Sequence, residues 1–183
     1  MNNLYKIFNK NILRAIDSLS RGEFYLRGIA SSLKISPSAA HAIIKKLLKL
    51  KFVTTSKQQN KRIITLNTDN LFLQKIKSLI NLDKILSSRA YRELCKLGAA
   101  SIYGSFSEGK NDKHSDLDLW VYGEKVDPVK VSKVASLFEK ELKVETNILI
   151  INKNKLERLK KNDPEFYTRL KFTSVPKREE IFD

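Results

Sequence analysis

The sequence predicts an α+β protein in two parts, and three observations predict it. Apolar residues recur at helical steps over roughly the first 50 positions and give way to a hairpin pattern. A Gly- and Pro-free helical stretch follows at 69–82. Beyond it, short apolar strands at 99–103 and 117–121 precede an amphipathic helix and a further strand-like run at 142–151. With 183 residues, 42% hydrophobic and 30% charged, the chain can hold two compact cores. The expected division is 1–67, a connecting helix at 68–88, and 89–183.

Asn11 to Leu19 reads as a first helix and Leu26 to Leu33 as a second. Ser36 can cap a third, with Pro37 in its first turn and an end near Leu50. Ala40, Ile43 or Ile44, Leu47 and Leu50 fall on its core face, which leaves Ser38, Ala39, His41, Ala42, Lys45, Lys46 and Lys49 toward solvent. Small residues near the start and lysines further along suit entry into a major groove. Phe52–Thr55 and Arg62–Leu66 then read as hairpin strands around a polar turn, with Lys57, Lys61 and Arg62 at its tip.

Three helices and a basic-tipped hairpin resemble a winged helix-turn-helix domain. The resemblance rests on Ile35-Ser36-Pro37-Ser38-Ala39-Ala40-His41 and on Leu47 to Val53, and covers about 65 residues. It implies that the third helix reads the major groove of double-stranded DNA through Ser38, Ala39, His41, Lys45 and Lys46, and that Lys57, Lys61 and Arg62 contact the backbone from the wing. Winged helices also serve as docking or dimerisation modules, and His41, without a metal partner in the sequence, is otherwise an ordinary exposed helix residue.

In the connecting stretch, Leu, Phe and Ile recur at helical spacing from Leu71 to Leu82. This stripe fits a homodimer interface or burial against a neighbouring domain equally well. Cys95, the single cysteine, excludes an internal disulfide and reads as a buried helical residue.

The most specific pattern lies at 103–121. Ala99 to Tyr103 is a short apolar strand running into Gly104 and Ser105, where a missing side chain and a hydroxyl allow a phosphate to approach. A polar spacer follows, then Asp116-Leu117-Asp118-Leu119. Alternation puts both carboxylates on one face of a strand and Leu117, Leu119 and Val121 on the other. Two aligned carboxylates about 7 Å apart suit a hard divalent cation that also binds phosphate oxygens. Taken separately, Gly-Ser is an ordinary turn and Asp-Leu-Asp an ordinary wet strand end; the joint pattern is far rarer.

This stretch resembles the minimal nucleotidyltransferases of the DNA polymerase β superfamily over roughly the last 95 residues. The resemblance implies transfer of a nucleoside monophosphate from an NTP, with ATP the first donor, onto a hydroxyl of a protein or RNA. It further implies Mg²⁺ (or Mn²⁺) held by Asp116 and Asp118 and a third carboxylate on a later strand, for which the candidate is Glu145. Gly104 and Ser105 would cradle the triphosphate, with Lys110 and Lys113 supplying positive charge. Two departures stand out: Glu145 where relatives more often carry Asp, and Glu108 where many carry Arg. Asp127, Glu124, Glu139 and Glu141 read as surface, and His114 as a solvent-facing loop residue. Asp163 and Pro164 should open a late helix after a charged one at 154–161.

Charge points the same way as the first resemblance. Of a net charge of +15, residues 1–88 carry +12 and residues 89–183 carry +3. A domain this basic attracts polyanions, nucleic acid before anionic membrane; surplus lysine for solubility is the plain alternative. No apolar run reaches the ~20 residues of a bilayer span, and Met1 to Lys6 has no signal-peptide pattern, so a cytoplasmic protein is expected. The combined expectation is a DNA-binding nucleotidyltransferase. Two alternatives are a transcriptional regulator with a catalytically inactive nucleotidyltransferase-fold domain, and an antitoxin-like partner of a small helical toxin.

Overall fold

Capping chemistry sets the first elements. The structure is a computed structural model that describes residues 9–22, 24–58 and 61–182, so the N-terminal stretch read against a signal peptide lies outside the described residues. Helix α1, Lys10–Leu19, starts where the Asn9 side chain accepts the Asn11 N–H, and it buries Ile12, Ala15, Ile16 and Leu19. After β1 (Phe24–Tyr25), α2 spans Leu26–Leu33 and ends on Lys34 in the left-handed region. In α3, Pro37–Lys49, the Ser36 hydroxyl accepts the Ala39 N–H at 3.2 Å with Pro37 in the first turn, as the sequence predicts.

Strands β2 (Val53–Gln58) and β3 (Lys61–Leu66) pair antiparallel, Val53 with Leu66 through Gln58 with Lys61. The short β1 pairs with the other edge of β3, Phe24 against Ile64, giving the order β1-β3-β2. Two residues are too few to show alternation, so β1 has no signature in the sequence. Ile16, Ile29, Leu47 and Ile64 are central to the core under this sheet. Helix–strand–helix–helix followed by a hairpin that recruits the early strand is the winged-helix arrangement.

Helix α4, Leu71–Ser87, begins with the Asn70 side chain accepting the Leu73 N–H at 3.0 Å. The chain divides into two compact units, Met1–Ile80 and Asn81–Asp183, within this helix. Leu73, Ile76 and Ile80 join the first core, and Leu82 and Ile85 join the second.

The second unit opens with α5, Arg89–Cys95, capped by Ser88. Cys95 is exposed, contrary to the sequence expectation. The buried face of α5 carries Ala90, Tyr91 and Leu94, and the residue after Leu94 turns about 100° away from it. Then come β4 (Ala99–Tyr103), α6 (Gly104–Glu108), β5 (Leu117–Tyr122), α7 (Pro128–Leu142) and β6 (Thr146–Ile151). The unit closes with α8 (Lys153–Asn162), α9 (Pro164–Thr173) and α10 (Glu179–Phe182).

This second sheet has the order β4-β5-β6, antiparallel between β4 and β5 and parallel between β5 and β6. On the free side of β4, Ile102 and Val175 exchange backbone hydrogen bonds of 2.9 and 2.8 Å. Leu117, Leu119 and Val121 pack with Val134 and Phe138 of α7 on one face. Trp120, on the opposite face, is fully buried among Tyr167, Leu170 and Phe182, and its Nε1 donates to Ser174 Oγ at 2.8 Å. That face is therefore dry at the Trp120 end and half-open at Asp116 and Asp118. Among the described residues, no helix is long and apolar enough to cross a membrane.

Candidate functional site

The antiparallel register of β4 and β5 sets Tyr103 opposite Asp118, so the chain leaves β4 directly beside the second carboxylate. Gly104 makes that turn with φ of +71°, and a methyl group there would stand 2.9 Å from Asp118 Oδ2. Only glycine meets both demands without strain. Ser105, the next residue, directs its carbonyl to the N–H groups of Lys110 (2.9 Å) and Asn111 (3.2 Å), which curls the spacer back. Asn81 clamps the curl from α4, donating its Nδ2 to the Phe106 carbonyl at 3.0 Å and to Asn111 Oδ1 at 2.8 Å. Asp112 and Ser115 close a small turn around His114, which is exposed as expected.

The electrostatics follow from this crowding. Burial raises the Asp118 carboxyl above its ordinary value and the nearby Asp116 raises it further; Arg169 and the Asn147 amide oppose them. Tyr103 is pushed up to about 12 by burial and by Asp118, again against Arg169. Two carboxylates that repel each other while half-buried form an all-oxygen donor set that a hard divalent cation would relieve, so the residues fit such an ion.

The third carboxylate does not join them. β6 does lie beside β5, but it begins at Thr146, so Glu145 sits one residue before it, with its carbonyl accepting the Leu117 N–H at 2.8 Å and its side chain exposed. The residue in register with Asp118 is Asn147, whose Nδ2 donates to Asp116 Oδ2 at 3.3 Å. Among the described residues, no three His, Cys, Asp or Glu side chains form a group able to hold a metal ion. Lys110 Nζ lies 3.4 Å from Glu108 Oε1, so part of its charge is spent within the spacer, and Lys113 is exposed in the same loop.

Sequence reasoning gives Asn147 and Arg169 no role, since an amide in a strand and an arginine in a late helix carry no motif. Their signal is positional: Asn147 shares the strand parity of Glu145. The acidic residues read as surface include structural ones. Asp127 caps α7, Glu141 accepts the Ala90 N–H at 3.2 Å, and Glu124 accepts the Lys153 N–H at 3.3 Å.

In the first unit, Ser38, Ala39, His41, Ala42, Lys45, Lys46 and Lys49 are all exposed on α3, opposite the buried Ala40, Ile43, Ile44 and Leu47. Lys57 and Arg62 face each other in the hairpin register and are exposed. Lys61 belongs to β3, and its side chain, like residues 59–60 at the tip, lies outside the described residues.

Residues 80–168 match the family model "Polymerase beta, Nucleotidyltransferase". The match takes in the Gly-Ser turn, both aspartates and Asn147, and stops one residue short of Arg169. No curated protein matches the chain significantly. Similar solved structures include NolR from Sinorhizobium fredii, at 23% identity over 43% of this chain and 77% of that one, with a TM-score of 0.39. Reduced HlyU from Vibrio cholerae is similar at 23% identity over 48% of this chain and 86% of that one, with a TM-score of 0.40. These likenesses are too partial to carry a functional argument. The fold class is α+β: a winged helix-turn-helix and a polymerase β-like mixed sheet with flanking helices.

Proposed function

We propose that the chain is a DNA-binding nucleotidyltransferase that moves a nucleoside monophosphate, AMP first, from an NTP to a hydroxyl of a protein or RNA. The observation that carries this reading is the close approach of the Gly104 backbone to Asp118, which sets the Gly-Ser turn beside the aspartate pair within the matched residues. In the reaction, the acceptor oxygen bonds to the α-phosphorus, the bond from that phosphorus to the β-phosphate's bridging oxygen breaks, and pyrophosphate leaves with the electron pair. Asp116 and Asp118 would hold Mg²⁺ or Mn²⁺, which when bound offsets phosphate charge and makes the attacking hydroxyl more acidic. Gly104 leaves room for the triphosphate, the Ser105 hydroxyl donates to it, and Lys113 adds charge from the spacer. Glu145, which stands outside the aspartate pair and is exposed just before β6, is proposed as the base that takes the acceptor's proton.

The first unit would bring this activity to duplex DNA through the exposed face of α3 and the Lys57, Lys61 and Arg62 wing. One observation favours a second reading. A neutral Asn147 stands in register with Asp118, which suits a regulator whose nucleotidyltransferase-fold domain no longer catalyses. Incubation with each labelled NTP and Mg²⁺ or Mn²⁺ separates the two. Transfer of label to RNA, to protein or to the chain itself, lost in Asp118→Asn, is the expected result; no transfer from any NTP leaves the regulator reading.

A further inference from the structure

The spacer after the Gly-Ser turn carries an acid, Glu108, and Lys110, the next cation along, lies against that glutamate at 3.4 Å. That leaves Lys113 as the spacer's exposed cation, and a bound triphosphate gains from a further cationic donor elsewhere in the fold. The C-terminal helices carry one to the right place. Asp163 accepts the Phe166 N–H at 3.0 Å and so fixes the first turn of α9. Phe166 then stands edge-on to Tyr103, with ring centroids 6.0 Å apart. One turn later, the Arg169 guanidinium lies over the Phe166 ring, 5.0 Å from its centroid.

Tyr103 is the residue in register with Asp118, so this ladder of three side chains leads from the helix to the carboxylate pair. The Arg169 charge is felt at both Asp118 and Tyr103. The residue is nevertheless exposed, and among the described residues its guanidinium makes no ion pair within 4 Å. Its planar donors are oriented by the ring beneath them and open to a ligand, an arrangement suited to bidentate phosphate binding.

We propose that Arg169 is a phosphate-binding residue of the nucleotide site, supplying from α9 the cation that the spacer lacks at Glu108. The inference rests on the nucleotidyl-transfer reading. Without nucleotide, the Arg169 charge opposes the raised carboxyl of Asp118; with Mg-NTP bound, its guanidinium would fork onto non-bridging oxygens of the β- or γ-phosphate.

The test uses the full chain and two probes, MgATP by calorimetry and Mn²⁺ alone by paramagnetic resonance, on wild type, Arg169→Ala and Arg169→Lys. Arg169→Ala is expected to bind MgATP at least tenfold more weakly while holding Mn²⁺ as tightly as wild type or more tightly, since a positive charge beside the carboxylates has gone. Arg169→Lys is expected to recover only part of the ATP affinity, because an ammonium cannot make the fork. Unchanged ATP affinity in Arg169→Ala overturns the inference and leaves the transfer reading intact. An equal loss of ATP and Mn²⁺ binding also overturns it, by showing that Arg169 only supports the aspartates. A wild type that binds neither probe removes the transfer reading itself, and this inference with it.

Discussion

At Asp118 the fold opposes the charge it needs. Burial and Asp116 raise its carboxyl above the ordinary value, so the folded chain holds this proton more tightly than the unfolded chain does. The associated stability is fully present below the unfolded value of about 3.9 and is lost as pH rises through the raised folded value. Metal-free Asp118→Asn should therefore melt above wild type at neutral pH, with the gap closing as pH falls toward the ordinary aspartate value. A gap that ignores pH would show that the half-open site leaves Asp118 unstrained.

Glu145 requires a different measurement. Glu145→Gln keeps the size of an exposed side chain, so MgATP affinity should persist while single-turnover transfer falls by roughly 10²–10⁴-fold, the usual loss for a missing general base. Transfer at the wild-type rate would remove Glu145 from the site.

Among the elements, α3 and the wing carry the nucleic-acid expectation. The alternation of buried Ala40, Ile43, Ile44 and Leu47 with exposed lysines is complete along the helix, and its start is fixed by Ser36. If that face and the hairpin bind phosphates, the logarithm of duplex affinity should fall linearly with the logarithm of salt concentration, and Arg62→Ala should flatten the slope by about one unit. His41→Ala should change sequence preference more than overall affinity. Binding that does not respond to salt would point to a docking module instead.

At the scale of the molecule, among the described residues the core of the first unit and the main core of the second share no buried residue, although α4 contributes to both. The single tryptophan, Trp120, is fully buried in the second unit, so its fluorescence reports that unit alone. Leu47→Ala, in the first core, should cost ~2–5 kcal/mol there. Its circular-dichroism melt should acquire an earlier phase, while the Trp120 transition stays where it is in wild type. A matching shift of the Trp120 transition would mean that α4 makes the two units unfold as one.

The sequence alone determined what depends on neighbours a few positions apart. Ser36-Pro37 and Asp163-Pro164 start helices because capping acts within one turn, and the Gly104-Ser105 and Asp116-x-Asp118 elements follow from glycine's freedom and the two-residue period of a strand. The same local reasoning missed β1, which exists only because β3 offers it an edge, and misjudged Cys95, whose exposure depends on where α5 ends and what it packs against. Tertiary structure alone decided the composition of the candidate site. Parallel pairing of β5 with β6 put Asn147 rather than Glu145 in register with Asp118, and the docking of α9 on Tyr103 brought the Arg169 charge within reach of Asp118. Register and helix docking join residues 29 and 51 positions beyond Asp118, and no periodicity within either segment encodes which partner it will meet.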